Sequence, residues 1–386
     1  GVRLPIQGLS KEFDTPFEKD NKTILFNGEI YNYKELDSNA KSDIEVLYMI
    51  PIYFDGDFAY VIFDKNDNSL EIITDRFGKR QLYYKLENNY ISGISSEIKG
   101  LLEGEEILNG YYFATIKRFK YLFSSNQTYI KNIFRFMPGY KYKINSSGKI
   151  ISKEKINWES NNLIPNNHSK ELKALIELSI KRRLVSDVPI AFLYSGGLDS
   201  SIILYHLKQL KTKVKIFTIE NADDIEYAEK YAKELGFEIE KIKMNGPDYK
   251  KAIASAELMT DLGSTLQNYN LFEKVKQNGF KVVLTGDAAD EVFRGYKRNL
   301  KDDYIYSDIF NELVFYHFPR LDKLAMAHTV EYRSPYSADY IIDFGLSIPY
   351  EQGINKEYLR KIYKGFIPDY ILNRKKVPLK RKDEEL

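Results

Sequence analysis

The stretch Ser195-Gly196-Gly197-Leu198-Asp199-Ser200 combines residue types that bind phosphate. It lies between an apolar run that predicts a buried strand (189–194) and a segment with helical spacing (200–211). Two glycines let the backbone approach an anion, and the serine hydroxyls and the first N–H groups of a helix can donate hydrogen bonds to it. The carboxylate of Asp199 is placed to hold magnesium against a pyrophosphate. A plain glycine turn is the alternative, but the flanking serines and the acid favour a phosphate site.

A second polar group, Thr285-Gly286-Asp287-Ala288-Ala289-Asp290-Glu291, also follows a predicted strand (281–285). Three carboxylates within five residues repel one another unless a cation or a catalytic role compensates. A solvated acidic helix start is the alternative, and it suits Glu291 alone. Ligands of parallel sheets bind at the carboxyl ends of the strands, so we expect both turns to lie at such ends.

Other segments have ordinary structural explanations on local grounds. Asn27-Gly28 is a strong signal for a hairpin turn, and the basic residues from 374 to 382 are typical of a solvated charged surface. The histidines, which include His317 and His328, have no metal-ligand spacing. These segments alone predict no chemistry.

The two halves of the chain differ in the spacing of their hydrophobic residues. The first half has short β-type runs, from which we predict strands at 23–26, 58–63, 70–74, 81–85, 111–116 and 140–144. In the second half we predict a helix at 169–185, a strand at 189–194, a helix at 200–211, a strand at 214–219, a helix at 223–235 ended by Gly236, and strands at 237–244 and 281–285. The sequence therefore predicts an α/β chain with an antiparallel, β-rich N-terminal domain and a parallel-sheet C-terminal domain.

The composition sets broad limits. The chain has 386 residues, of which 43% are hydrophobic and 29% charged, which is typical of a globular protein with room for two domains. A net charge of +2 gives no reason to expect nucleic acid or a membrane surface as a partner. There is no cysteine, which excludes disulfides, thiolate zinc sites and thiol nucleophiles from the sequence as given.

Taken together, these segments resemble the class B, glutamine-dependent asparagine synthetase family. The Ser195–Ser200 turn is similar to that of the N-type ATP pyrophosphatases, and 285–291 resembles the family's second synthetase motif. Phe26-Asn27-Gly28-Glu29-Ile30-Tyr31-Asn32 resembles the signature of the glutaminase domain, and Asp75-Arg76-Phe77-Gly78 resembles a later landmark. The segments keep the family's order over nearly the whole chain.

The resemblance implies a fold and two reactions. It implies an Ntn-hydrolase-like glutaminase domain at 1–157, a linker at 158–168, and an ATP pyrophosphatase domain with a helical end at 169–386. The first domain would hydrolyse glutamine with an N-terminal cysteine. In the second, ATP would adenylate a carboxylate, and the ammonia released from glutamine would convert it into an amide, AMP and pyrophosphate.

The resemblance also implies roles for individual residues. The ATP-binding set would be Leu193, Ser195, Gly196, Gly197, Leu198, Asp199, Ser200, Ile219, Thr285 and Gly286. Asp199 and Asp290 would hold Mg²⁺, Lys376 would stabilise charge during adenylation, and Asp287 would position the incoming ammonia. The glutamine-binding set would be Arg3, Leu4, Ile6, Asn27, Gly28, Glu29 and Asp43.

Two departures from the family pattern affect the expected function. The nucleophilic cysteine is absent, and we expect an incomplete chain that begins a few dozen residues inside the glutaminase domain. Asp287 stands where asparagine-forming members carry glutamate, which shortens the reach of the carboxylate by one methylene group, roughly 1.5 Å, a distance large enough to affect catalysis. Asp287 therefore leaves the identity of the acceptor open.

We accordingly expect a glutamine- and ATP-dependent amide ligase that needs ATP and Mg²⁺, with aspartate as the default acceptor. The same chemistry on a sugar acid or another metabolite carboxylate, or an internal amide closure, is the alternative. A nucleotide-binding protein without turnover is a third hypothesis, which the missing cysteine motivates. We expect small-molecule partners, a cytoplasmic location and a homodimer.

Overall fold

A computed structural model of the chain describes residues 4–119, 125–158, 168–220, 222–244, 246, 248–259, 261–296 and 308–374. The described residues form two compact units. The first is drawn from Gly1–Glu159, Tyr249–Leu266 and Ser307–Leu324, and the second from Ser160–Asp248, Gln267–Tyr306 and Ala325–Leu386. The predicted linker at 158–168 lies largely outside the described residues, and the predicted domain boundaries stay predictions.

The strands of the described residues are numbered in chain order. They are β1 (Phe17–Lys19), β2 (Lys22–Ile30), β3 (Gly56–Asp64), β4 (Ser69–Thr74), β5 (Tyr83–Glu87), β6 (Tyr90–Ser95), β7 (Ile133–Arg135), β8 (Tyr140–Ile144), β9 (Ile150–Lys155), β10 (Ile190–Leu193), β11 (Lys215–Ile219), β12 (Ile239–Ile242), β13 (Val282–Leu284) and β14 (Glu331–Arg333).

The α-helices of the described residues follow the same order. They are α1 (Tyr33–Leu36), α2 (Gly110–Phe119), α3 (His168–Arg183), α4 (Leu198–Gln209), α5 (Ile225–Leu235), α6 (Tyr249–Ala256), α7 (Leu262–Gln277), α8 (Ala289–Val292), α9 (Phe318–Met326), α10 (Asp339–Ser347), α11 (Tyr350–Gly353), α12 (Glu357–Tyr363) and α13 (Asp369–Leu372). A π-helical segment, Asp308–His317, directly precedes α9. None of the described helices is both long and apolar enough to cross a membrane.

The first unit contains antiparallel sheets. In one sheet the strand order is β1-β2-β3-β4-β8-β9, and in another it is β6-β5-β7. Side chains from both sheets share a buried cluster that includes Ile72 of β4, Tyr84 of β5 and Tyr142 of β8. The antiparallel N-terminal half predicted from the sequence is confirmed.

The predicted strand at 111–116 is wrong, because these residues lie in helix α2. Their aromatic and β-branched side chains favour a strand on composition. Asn109 opposes that preference, since its side-chain oxygen accepts a hydrogen bond from the N–H of Tyr112 at 3.3 Å, as a helix N-cap does. The side-chain amide of Asn109 also donates to the carbonyl of Thr128 at 3.0 Å, which fixes the cap in place.

The local interpretation of Asn27-Gly28 as a hairpin turn is also wrong. Strand β2 runs straight through both residues, and Gly28 pairs with Phe58 of β3. Gly28 has φ 138°, and a Cβ atom there would lie 2.0 Å from the carbonyl oxygen of Asp57. The glycine is therefore needed for a close approach of two strands, and not for a turn.

The second unit contains a parallel sheet with the order β12-β11-β10-β13-β14. The predicted alternation of strands and helices from 169 to 244 is confirmed, with shifts of one to three residues at most ends. Leu172, Ile176 and Ile180, which recur at helical spacing on α3, are buried. Gly236 ends α5 in the left-handed conformation with φ 76°, as predicted.

Candidate nucleotide-binding site

The candidate site lies at the carboxyl ends of neighbouring strands in the second unit. Strand β10 pairs with β11 on one side and with β13 on the other, so the turns after Leu193 and Leu284 lie side by side. A Cβ atom on Gly286, in the second turn, would lie 3.4 Å from the backbone nitrogen of Ser200, in the first. A cavity of about 360 Å³ opens between these strand ends.

The first turn leads directly into α4. Gly196 has φ 75°, and a Cβ there would lie 2.9 Å from the backbone nitrogen of Ala228, so the turn requires glycine. The hydroxyl oxygens of Ser195 and Ser200 lie 3.0 Å apart, and that of Ser195 accepts from the N–H of Gly197 at 3.3 Å. The first turn of α4 has no side-chain cap, which leaves its N–H groups suited to an anion.

The second turn is held by the residues after β14. The N–H of Thr285 donates to the carbonyl of Arg333 at 3.0 Å, and the hydroxyl of Ser334 donates to the carbonyl of Asp287 at 2.6 Å. Ala288 has φ 69°, an uncommon conformation for a residue with a side chain. Asp287 and Asp290 consequently both line the cavity.

The main feature that sequence reasoning missed is Lys356. Its ammonium nitrogen lies 2.5 Å from Oδ2 of Asp199 and 2.6 Å from Oδ1 of Asp290. Lys356 is 5% exposed. Burial works to lower the pKa of Lys356, but the charges and hydrogen bonds of Asp199 and Asp290 outweigh burial and hold the pKa above its usual value. The ammonium group of Lys356 therefore joins the two predicted turns.

The backbone around Lys356 is strained. Asn355 and Lys356 have φ 55° and 59°, and Arg294, whose carbonyl accepts from the N–H of Asn355 at 2.9 Å, has φ 55°. Such conformations cost of order 1–3 kcal/mol each and occur often at functional sites. The Arg294 guanidinium fixes this region, since it donates to the carbonyls of Ile348 at 2.9 Å and Pro349 at 3.1 Å.

The remaining predicted residues are distributed as follows. Leu193, Ser195, Gly197, Leu198, Asp199, Ser200, Ile219, Thr285, Gly286, Asp287 and Asp290 line the cavity. Apolar side chains that include Phe217, Leu271 and Phe272 line it too, and they are suited to a flat ring. Lys376 lies outside the described residues.

Asp199 and Asp290 are also the predicted ligands of a magnesium ion. Carboxylate oxygens are ligands that Mg²⁺ prefers, and this ion commonly takes one or two of them and fills its other positions with phosphate and water. Lys356 compensates one of the two negative charges of Asp199 and Asp290. The donor set therefore fits a magnesium ion that arrives with a nucleotide.

The predicted glutamine-binding residues lie in the first unit. The N–H of Ile30, next to Glu29 at the end of β2, donates to Oδ2 of Asp43 at 3.0 Å. Glu29 accepts a short hydrogen bond from the side-chain amide of Gln7, the neighbour of Ile6. These contacts bring together the segments that carry Ile6, Asn27, Gly28, Glu29 and Asp43, with Leu4 two residues before Ile6. Arg3 lies outside the described residues.

Comparisons with known proteins match both halves of the chain. Residues 1–155 match the glutamine amidotransferase domain, and residues 171–314 and 299–385 match asparagine synthase. A putative glutamine-hydrolysing asparagine synthetase of Methanocaldococcus jannaschii is 30% identical over 90% of this chain and 69% of that protein. A probable asparagine synthetase of Acanthamoeba polyphaga mimivirus is 28% identical over 97% of this chain and 75% of that protein.

Among solved structures, the glutamine phosphoribosylpyrophosphate amidotransferase of B. subtilis is 14% identical, with a TM-score of 0.26 over 74% of this chain and 61% of that one. A likeness at that level carries no argument. The family is shown instead by the two domain matches and by the 30% identity to the M. jannaschii protein. The chain therefore belongs to the glutamine-hydrolysing asparagine synthetase family of ATP-using ligases.

Proposed function

We propose that the second unit adenylates a carboxylate, with aspartate as the default, and converts it into an amide with ammonia derived from glutamine. The observation that carries this proposal is the pairing of the Lys356 ammonium with both Asp199 and Asp290, next to the two turns. A buried ammonium next to a phosphate-binding turn is suited to stabilise the negative charge that develops on an α-phosphate.

In the adenylation step, Ser195, Gly197 and Ser200 bind the phosphates of ATP. A carboxylate oxygen of the acceptor attacks the α-phosphorus, and the bond from that phosphorus to the bridging oxygen breaks as pyrophosphate leaves. Lys356 stabilises the extra charge on the α-phosphate without giving up its proton, because its aspartate partners keep its pKa high. The sequence predicted this role for Lys376, which lies outside the described residues and stays a prediction; the contacts of Lys356 with Asp199 and Asp290 support a role for Lys356.

In the amidation step, ammonia attacks the carbonyl carbon of the acyl-adenylate, and AMP leaves. Asp287 lines the cavity and would accept a hydrogen bond from the attacking ammonia and then a proton. Asp199 and Asp290 would hold Mg²⁺ when a nucleotide is bound, and the ion would neutralise the leaving pyrophosphate.

The first unit would supply the ammonia. In this proposal the glutamine-binding residues are those predicted from the sequence, and the contacts among the segments carrying Ile6, Glu29 and Asp43 support a shared site. Ammonium salts would replace glutamine in the assay, so the synthetase reaction can be measured without the first unit's chemistry.

The test is the reaction of the purified protein with ATP, Mg²⁺, ammonium and aspartate, followed by quantification of asparagine, AMP and pyrophosphate. We expect Lys356→Met to lower the rate by roughly 10²–10³-fold, because it removes one charge that stabilises the transition state. Lys361→Met, on the exposed side of α12, is the matched control and should keep the rate. Production of ADP, or equal rates for the two variants, would count against the proposal.

Asp287 favours a second candidate, in which the same chemistry acts on another carboxylate or closes an internal amide. Its short side chain reaches less far into the cavity than a glutamate would. An exchange assay between pyrophosphate and ATP across a panel of carboxylates separates the candidates. Exchange with aspartate alone favours the first, and exchange with another acid favours the second. A cytoplasmic location and a homodimer stay predictions.

A further inference from the structure

Two helices of the second unit contact each other at a second point, away from the cavity. The first contact is the ion pair of Asp199, in the first turn of α4, with Lys356, the N-cap of α12. The second joins His206 of α4 to Tyr363 of α12, with 2.7 Å between Nε2 and the hydroxyl oxygen. Each helix therefore carries one active-site residue and one buried ring.

The spacing of the two contacts is the same on both helices. His206 follows Asp199 by seven positions, and Tyr363 follows Lys356 by seven positions. Seven residues are two turns of an α-helix and rise about 10.5 Å. The two contacts are therefore separated by the same distance along both helices. A shift of α12 along the axis of α4 that breaks one contact also disturbs the other.

The geometry of the second contact fixes its direction. His206 is 2% exposed and Tyr363 is fully buried. Burial raises the pKa of Tyr363 well above its usual value, so its hydroxyl keeps the proton. Nδ1 of His206 faces Oε2 of Glu177 on α3 at 3.5 Å. Because a carboxylate oxygen can only accept, Nδ1 carries the hydrogen of the neutral ring, and Nε2 accepts from the hydroxyl of Tyr363. Burial, and then the charge of Lys173, lower the pKa of His206 to about 4, so the ring is neutral near pH 7.

The ring of Tyr363 is held by further contacts. Tyr205 of α4 packs edge-to-face against it, with 6.2 Å between the two ring centres, and the ammonium of Lys173 on α3 lies 5.7 Å from the centre of the Tyr363 ring. These contacts use the ring and not the hydroxyl. A change of Tyr363 to phenylalanine therefore removes the hydrogen bond alone and keeps the packing.

On the basis of the proposed function, we propose that His206 and Tyr363 are positioning residues, whose hydrogen bond sets the register of α12 on α4 and thereby holds Lys356 at Asp199. The pair does not touch the nucleotide cavity. It acts through the two helices that carry the charged groups. The position of Lys356 therefore depends on a contact about 10 Å further along both helices, towards their C-termini.

The first test is kinetic and uses ammonium in place of glutamine. We expect Tyr363→Phe and His206→Phe to lower kcat about tenfold while the KM for ATP stays within twofold, because the phosphate turn itself is intact. We expect His206→Gln, unlike His206→Phe, to keep kcat near the wild-type value, since the glutamine side-chain oxygen can accept the hydrogen bond of Tyr363 at about the same reach. Ile362→Val, a buried change on the same helix that removes a methyl group but no hydrogen bond, is the control for general destabilisation.

The second test does not depend on activity. The rate at which acetic anhydride acetylates Lys356 in the whole protein is measured by mass spectrometry without nucleotide. We expect Tyr363→Phe to raise that rate severalfold over wild type and Ile362→Val to leave it unchanged. The inference fails if Tyr363→Phe matches Ile362→Val in both tests. A wild-type protein without turnover whose Lys356 still responds to Tyr363→Phe would overturn the proposed function and leave the positioning pair supported.

Discussion

Gly295 lies against the charged side chains at the centre of the candidate site. A Cβ atom there would lie 2.0 Å from Oδ1 of Asp290 and 2.3 Å from Cε of Lys356. Its N–H also donates to the backbone carbonyl of Asp290 at 2.8 Å. The ion pair and the glycine therefore occupy one small volume, and any side chain at this position has to displace a charged group.

We expect Gly295→Ala to lower the rate of AMP formation by roughly 10- to 100-fold, because displacements near 1 Å at a reacting centre cost about that much. The melting temperature should change by a few degrees at most, since the atoms that must move are ends of side chains. Gly263→Ala, where the nearest atom is 3.6 Å away, is the control and should keep the rate. An unchanged rate in Gly295→Ala would mean that the ion pair is not part of the reaction.

At the scale of residues, the sequence predicted the two aspartates and the serine-glycine turn but not the lysine. Asp199 and Asp290 follow predicted strands, and parallel strands bring their carboxyl ends together. Lys356 is an isolated basic residue 157 positions from Asp199, with no motif around it that indicates a site. Sequence spacing could not place it, because its position depends on how the helical end packs on the sheet.

At the scale of elements, α2 and the α4–α12 contact have consequences for stability. Asn109 caps α2 and also donates to the side chain of Gln127 at 2.8 Å. Local composition favoured a strand for this segment, so the cap and its partners decide the outcome. Strands formed by short β-type runs bounded by turn residues, such as β3 and β4, could be predicted since that pattern is local. Strand β2 could not be followed through Asn27-Gly28, because its partner strand sets the conformation there.

We expect Asn109→Ala to lower the free energy of unfolding by about 1–2 kcal/mol, the usual cost of losing a helix cap. Tyr111→Ala, on the exposed side of the same helix at 66% exposure, should change it by less than about 0.5 kcal/mol. Urea unfolding followed by circular dichroism measures both. Equal effects of the two changes would contradict the assignment of Asn109 as the cap.

The buried ring of His206 makes stability depend on pH. Its pKa is lowered from 6.5 to about 4 in the folded protein, so below pH 6.5 the unfolded chain binds a proton that the folded chain rejects. Stability is unaffected above pH 6.5 and falls as the pH drops from 6.5 to 4. We expect a loss of about 2 kcal/mol between pH 7 and pH 5 from this residue.

Urea unfolding at both pH values checks this prediction. The variant His206→Gln cannot take up a proton, so its loss of stability between pH 7 and pH 5 should be smaller by the same amount. Identical losses for wild type and the variant would mean that the ring is not held neutral.

At the scale of the whole molecule, the sequence predicted an antiparallel half followed by a parallel half, and both are present. It could not assign 249–266 and 308–324, which cluster with the first unit although they follow parts of the second along the chain. Local periodicity reports the type of an element and carries no information on which distant segment the element packs against.

The two proposed activities can be separated by one substitution in the first unit. We expect Glu29→Gln to weaken glutamine binding, because it removes the charge of one member of the predicted glutamine-binding set, and to leave the ammonium-driven reaction within twofold of wild type. Isothermal titration with glutamine and the AMP assay with ammonium measure the two effects. A lost ammonium reaction would contradict the assignment of Glu29 to glutamine.

The contact between Asp199 and Lys356 also has a consequence for protein synthesis in the cell. The serine-glycine turn leaves the ribosome long before its cationic partner, which is translated 157 codons later. A product truncated before residue 356 has the serine-glycine turn but lacks the cation that pairs with Asp199 and Asp290. The proposed role of Lys356 in adenylation therefore predicts that only chains translated past residue 356 catalyse that step.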